Sequence, residues 1–98
     1  MIIIAGHARL RPEAREEALA AAKRMQELSA AEDGCQEYGF WLAVDDPDRL
    51  LLFERWDDLA SLDAHRHTPH FAEFGGRLGE FVAEPPELLR YEAEPGDL

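Results

Sequence analysis

The sequence predicts an α+β domain in the order strand, helix, strand, strand, helix, strand, and three observations carry that prediction. Residues 1–11 are β-branched and then alternate, 87–94 alternate, and 49–56 carry apolar residues on both faces, all at strand length. Residues 12–31 and 59–82 instead carry apolar side chains at helical spacing. Turn-forming clusters separate these stretches: Glu32-Asp33-Gly34, Asp45-Asp46-Pro47-Asp48 and Glu84-Pro85-Pro86. This order is the split βαβ, or ferredoxin-like, plan: a four-stranded antiparallel sheet with helices on one face.

The first strand is β-branched at its start, with Ile3, Ala5, His7 and Arg9 on one face and Ile2, Ile4, Gly6, Ala8 and Leu10 on the other. Which row meets the helices is left open by the alternation. Pro12 stands at the first helical position, where its missing N–H costs nothing. Glu13, Glu16 and Glu17 then supply the charge that a helix N-terminus favours. Ala14, Ala18, Ala21, Ala22, Met25 and Leu28 form a narrow small-residue stripe suited to lying close on a sheet. Gly34 is expected to take the left-handed conformation that ends this helix.

Residues 35–44 form the second strand, rich in Tyr38, Phe40, Trp41 and Val44. It is expected to pair with the third strand, 49–56, through a loop of about four residues. Leu59, Leu62 and His65 share a helical face, Thr68-Pro69 interrupts, and Phe71, Phe74, Leu78, Phe81 and Val82 resume the period. Gly75, Gly76 and Gly79 each weaken this second segment by about 1 kcal/mol relative to alanine, so it must rely on packing. Leu51 and Phe53 face away from Leu50, Leu52, Glu54 and Trp56, which makes both sides of the sheet apolar. With helices enough for one side, the other is expected to meet a second copy across a two-fold axis.

Length and composition fit one domain, with residues 2–94 as core and 95–98 as a frayed tail. A chain of 98 residues can bury only about 60–65% of its unfolded surface, so a partner subunit would add useful burial. The net charge of −11, with no cluster of Lys or Arg, argues against nucleic acid and against an anionic membrane surface. No apolar run reaches the roughly 18 residues of a membrane span, and Met1–Ile4 is too short for a signal-peptide core. A cytoplasmic location is the expectation. The single cysteine, Cys35, reads as a buried small hydrophobe rather than a nucleophile.

The residues now carry a resemblance. The stretches EDGCQEYGFW and DDPDRLLLFERW, and the helix ending in LDAHRHTPHF, resemble the antibiotic biosynthesis monooxygenase family over about residues 2–91. Its most specific parts are Gly34-Cys35 followed by Tyr38, the Asp-Asp-Pro turn, Glu54-x-Trp56, and His65 followed by Pro69-His70-Phe71. The resemblance implies a dimeric α+β barrel with a cavity between each protomer's sheet and helices. It also implies oxygenation of quinols or phenolic polycycles with O₂, using neither metal nor flavin. Other members of the superfamily degrade haem or catalyse non-oxidative steps, since a fold does not fix a reaction.

The candidate catalytic residues are His65 and Glu54. A carboxylate among apolar neighbours is desolvated and its pKa rises toward that of a useful base, unless it is paired, with Arg9 or Arg77 for example. A histidine titrates near 6.5 and suits removal of a phenolic proton, although one on an apolar helical face is also a common core residue. Trp56, Tyr38, Phe71 and Phe74 are expected to wall the substrate, with His70 at the cavity mouth and His7 reaching it from the first strand. Expected partners are a small aromatic substrate, O₂ and a second copy of the chain; no cofactor is expected.

Three rival readings follow from the same residues. A metal site from His65, His67 and His70 is disfavoured, because residues i and i+2 diverge on a helix. Haem-degrading relatives use a first-strand Asn, a third-strand Trp and a helical His; here Trp56 matches, but His7 stands near the Asn position. A non-catalytic small-molecule-binding or stress-response dimer is the alternative of a different class.

Overall fold

The computed structural model describes residues 1–98 and has the predicted α+β, ferredoxin-like order. The elements are β1 (Ile2–Arg9), α1 (Arg15–Ala30), β2 (Cys35–Ala43), β3 (Asp46–Trp56), α2 (Leu59–His65), α3 (Pro69–Phe81) and β4 (Glu87–Glu92). A 3₁₀ turn at Pro12–Ala14 leads into α1. The strands form one antiparallel sheet in the order β2-β3-β1-β4. No helix is long and apolar enough to cross a membrane.

Register settles which row of β1 meets the helices. Ile2, Ile4, Gly6 and Ala8 lie opposite Trp56, Glu54, Leu52 and Leu50. Ile2 and Ile4 are buried with Met25 of α1, Tyr38, Trp56 and Leu62 of α2. A second buried group joins Leu10 and Leu50 to Ala18 of α1 and to Phe81 and Val82 at the end of α3. Ile3, Ala5 and His7 therefore lie on the other face. Gly6 permits the close passage of β4, because a Cβ there would overlap the Glu87 carbonyl and Leu88.

Two expectations about connections need correction. The β2–β3 connection is Val44-Asp45 rather than four residues, since β3 begins at Asp46. The acidic residues read as a loop are instead held in the strand by arginines. Arg9 donates to Asp46 at 2.8 Å, and Arg15 donates to Asp48 at 2.8 Å. Gly34 has the expected positive φ, +80°, but it sits after the helix cap at Ala31, at the entry to β2. Any side chain there would also strike Ser61 of α2.

The break between α2 and α3 is built from side-chain caps. Asp58 accepts from the Ser61 N–H at 2.8 Å and starts α2. Thr68 accepts from the Phe71 N–H at 3.2 Å, with Pro69 at the first helical position of α3. The glycines of α3 do not interrupt it; the helix runs to Phe81, which is buried.

Candidate active site

Between the helices and the sheet lies a cavity of about 170 Å³, and 14 of the 18 residues around it are hydrophobic. Its walls include Tyr38, Phe40, Leu52, Phe71 and Phe74, and its rim includes Pro86 and Leu88. Glu54 brings a carboxyl group to this apolar space. It is 5% exposed, and its Oε1 accepts the indole N–H of Trp56 at 2.8 Å. The strand period explains the pair, because residues 54 and 56 project from the same face.

Burial pushes the Glu54 carboxyl up to about 7, against the lowering effect of the Trp56 hydrogen bond. Neither expected arginine neutralises it. Arg9 is engaged with Asp46 on the opposite side of the sheet, and the Arg77 guanidinium lies 4.9 Å from the Phe81 ring centre. Burial, followed by the charge of Glu54, pushes the Tyr38 phenol far up, so Tyr38 stays protonated. Burial likewise raises Cys35 to about 11, which leaves its thiol unreactive at neutral pH.

His65 stands elsewhere than expected. It is 1% exposed but is not part of the cavity wall. Its ring packs 4.8 Å from Trp56, 5.2 Å from Phe71 and 5.5 Å from Tyr38. Its Nδ1–H donates to Glu32 Oε2 at 2.6 Å, and His70 Nε2–H donates to that same oxygen at 2.8 Å. Burial lowers the His65 pKa, opposed by the Glu32 hydrogen bond. Trp56, at 0% exposure, is a core residue behind the cavity rather than a substrate wall. His70 belongs to the Glu32 cluster and borders a smaller cleft with Arg24 and Glu73. His7 reaches the cavity only at its edge, and its imidazole pairs with Glu87 at 2.8 Å.

Glu32 is the residue that reading along the chain missed, because it looked like part of a helix-ending turn. The signal was in the pairing of strands. Cys35 faces Trp56 across the β2–β3 ladder, so whatever precedes Cys35 must meet whatever follows Trp56. That rule brings Glu32 to His65 and Gly34 to Ser61. His67 turns away and bonds the Asp63 carbonyl at 2.8 Å.

Fold and site together define a ferredoxin-like domain that presents one buried carboxyl to a small apolar cavity. The sequence profile of the antibiotic biosynthesis monooxygenase family matches residues 1–77, and the chain belongs to that family. It is 34% identical over 90 residues to the uncharacterised protein sll1783 of Synechocystis, covering 92% of this chain and 61% of that one. The chain thus spans less than two thirds of that relative's length. It is 30% identical over 92 residues to YcnE of Bacillus subtilis, a protein named provisionally as a monooxygenase, covering 94% of this chain and 97% of that one. The solved structure of Rv0793 from Mycobacterium tuberculosis superposes with a TM-score of 0.90 at 28% identity, covering 97% of this chain and 96% of that one.

Proposed function

We infer that the chain is a cofactor-independent monooxygenase that oxidises a small aromatic quinol or anthrone-type phenol with O₂. The observation that carries this reading is Glu54, a carboxyl poised near neutrality at the wall of an otherwise apolar cavity. For an anthrone-type substrate, ionised Glu54 removes a proton from the ring carbon or its phenolic tautomer. The resulting anion reduces O₂ by one electron, and the two radicals join as a peroxide. Loss of water leaves a new carbonyl, so one oxygen atom enters the product and the other leaves in water. Glu54 first protonates the peroxide, then removes the remaining hydrogen of the same carbon as the O–O bond breaks, and gives that proton to the departing hydroxide.

Each part of the chain's contribution has a physical basis. The apolar walls exclude water and so raise the electron-donating power of the substrate anion. Tyr38, held protonated, adds no second negative charge to the cavity wall. The cavity, at about 170 Å³, lies below the 300–1,000 Å³ common for drug-sized ligands and favours a compact flat molecule over haem. The positions of His7 and Trp56 also disfavour haem, because one is tied to Glu87 and the other is enclosed. A homodimer is part of the same reading: Ile3, Leu51, Phe53, Leu89, Tyr91 and Trp41 leave the sheet's outer face apolar, with Leu89, Tyr91 and Trp41 exposed.

The test is oxygen uptake by chelator-treated protein with hydroquinones and anthrones, corrected for each substrate's own autoxidation. Uptake that survives chelation and falls in Glu54→Gln supports the reading. Uptake no faster than the blank across the panel overturns it and leaves a small-molecule-binding dimer.

A further inference from the structure

We propose that Glu32, His65 and His70 form a binding site for a divalent first-row transition ion of the zinc type, separate from the cavity that Glu54 serves. Three elements deliver the donors: the turn after α1, the last residue of α2 and the first turn of α3. Their donor atoms lie within 4.8 Å of one another, and one carboxylate oxygen stands between the two ring nitrogens. Two imidazoles and a carboxylate are a donor set suited to zinc, iron, cobalt or nickel, with further positions left to water.

Charge supports a cation here. Glu32 pairs only with the two imidazoles; of the nearby arginines, Arg24 is paired with Glu73, while Arg66 and Arg77 stand near His65 and His70 without an ion pair to Glu32. With both rings neutral, the cluster keeps a net negative charge at a site where the carboxylate is largely enclosed. The chain's net charge of −11 adds a long-range attraction for cations. Access exists too, because the His70 and Glu32 side chains retain 15% and 14% exposure.

Closure onto an ion requires a small movement. Metal–ligand distances of about 2.0–2.2 Å place tetrahedral donors roughly 3.4 Å apart, so the two nitrogens must approach by up to about 1.4 Å and the Glu32 oxygen, now 2.6 and 2.8 Å from them, must draw back. His70 can supply this, since it follows the Thr68–Pro69 link and opens α3. Each neutral ring moves its N–H proton to its other nitrogen and presents a lone pair to the ion. The Nδ1 and Nε2 protons that now bridge to Glu32 give way to the metal. Such an ion would fasten α2 and α3 to the end of α1, behind the cavity wall.

The experiment is calorimetric titration of chelator-treated protein with Zn(II), followed by Co(II) binding read from its visible ligand-field absorption. Expected are one ion per chain, a raised Tm, and cobalt bands of a nitrogen- and oxygen-ligated site. His70→Ala should weaken Zn(II) binding by at least about 100-fold, the upper end of what losing an outer-shell partner costs. Glu32→Gln should do the same, and His67→Ala should bind as the parent does. Circular dichroism confirms that each variant is folded, and His70→Ala alone decides the matter if Glu32→Gln does not fold. Absence of one-to-one binding, or binding unchanged in folded His70→Ala, overturns the proposal. None of these readouts depends on oxygen uptake, so the site and the oxygenase reading can fail independently.

Discussion

Two glutamates hold neighbouring rings, Glu54 that of Trp56 and Glu32 that of His65, and do opposite things. Glu54 projects from the middle of the sheet, where its one hydrogen-bond partner is the Trp56 indole and its other surroundings are largely apolar. Glu32 closes a helix turn and is gripped by two imidazoles from two helices. The first is left short of partners, and burial drives it toward the neutral acid. The second is supplied with donors, and its carboxylate organises three elements. The lesson is that burial depth alone does not assign a role; the number and charge of partners does.

The largest expected effect breaks the comparison at Glu54. Glu54→Gln keeps the acceptor for the Trp56 N–H but cannot accept a proton, so turnover should drop by about 10²–10⁴-fold. In the parent protein the rate should climb as pH rises through about 7, because the base must be ionised. A pH–rate profile of kcat/KM checks both, and an unchanged profile in the variant would remove Glu54 from the chemistry.

His65→Ala probes the other region. It deletes a fully enclosed ring and leaves Glu32 with one imidazole, so a stability loss of about 3 kcal/mol is expected in urea unfolding. Turnover per folded molecule should stay within a few-fold of the parent, since the ring does not reach the cavity. A turnover loss as large as that of Glu54→Gln would erase the distinction between the two regions.

The pH dependence of stability sharpens the contrast further. The Glu54 carboxyl is raised from 4.5 to about 7 in the fold, so the folded state holds its proton more tightly than the unfolded chain. Its contribution is fully present below pH 4.5 and is lost as pH rises through about 7, on the order of 3 kcal/mol. Glu54→Gln should therefore gain on the parent between pH 5 and pH 8, measured as urea midpoints across that range. A constant difference would contradict the burial cause. The smallest effect lies in α3, where a methyl at Gly76 meets open space. Gly76→Ala should add about 0.5–1 kcal/mol to stability by thermal unfolding.

Much of the fold was legible because its signals are local. The β-branched alternation of β1, Pro12 before α1, and the Thr68–Pro69 break each act within a few residues. The Asp46–Asp48 stretch misled for the same reason: turn composition is local, whereas Arg9 and Arg15, which hold these aspartates, come from elsewhere in the chain. At the site, Glu54 and Tyr38 could be placed on the cavity because strand faces follow from parity. Placing His65 needed more. A helical face is broad, and whether a ring on it meets a cavity or a neighbouring core depends on a rotation that seven residues of α2 do not encode. Glu32 required knowing which strand ends meet.

The sheet separates the two tryptophans into different optical environments. Trp56 is enclosed beside His65 and Glu54, whereas Trp41 lies over Gly39 on the outer face, half exposed. The chain thus carries two built-in fluorophores, one facing each question. Emission from Trp56 reports on protonation and ligand arrival at the Glu54 and His65 side. Emission from Trp41 reports on whether the outer face is wet, and its colour on dilution tests without a label whether two copies associate there.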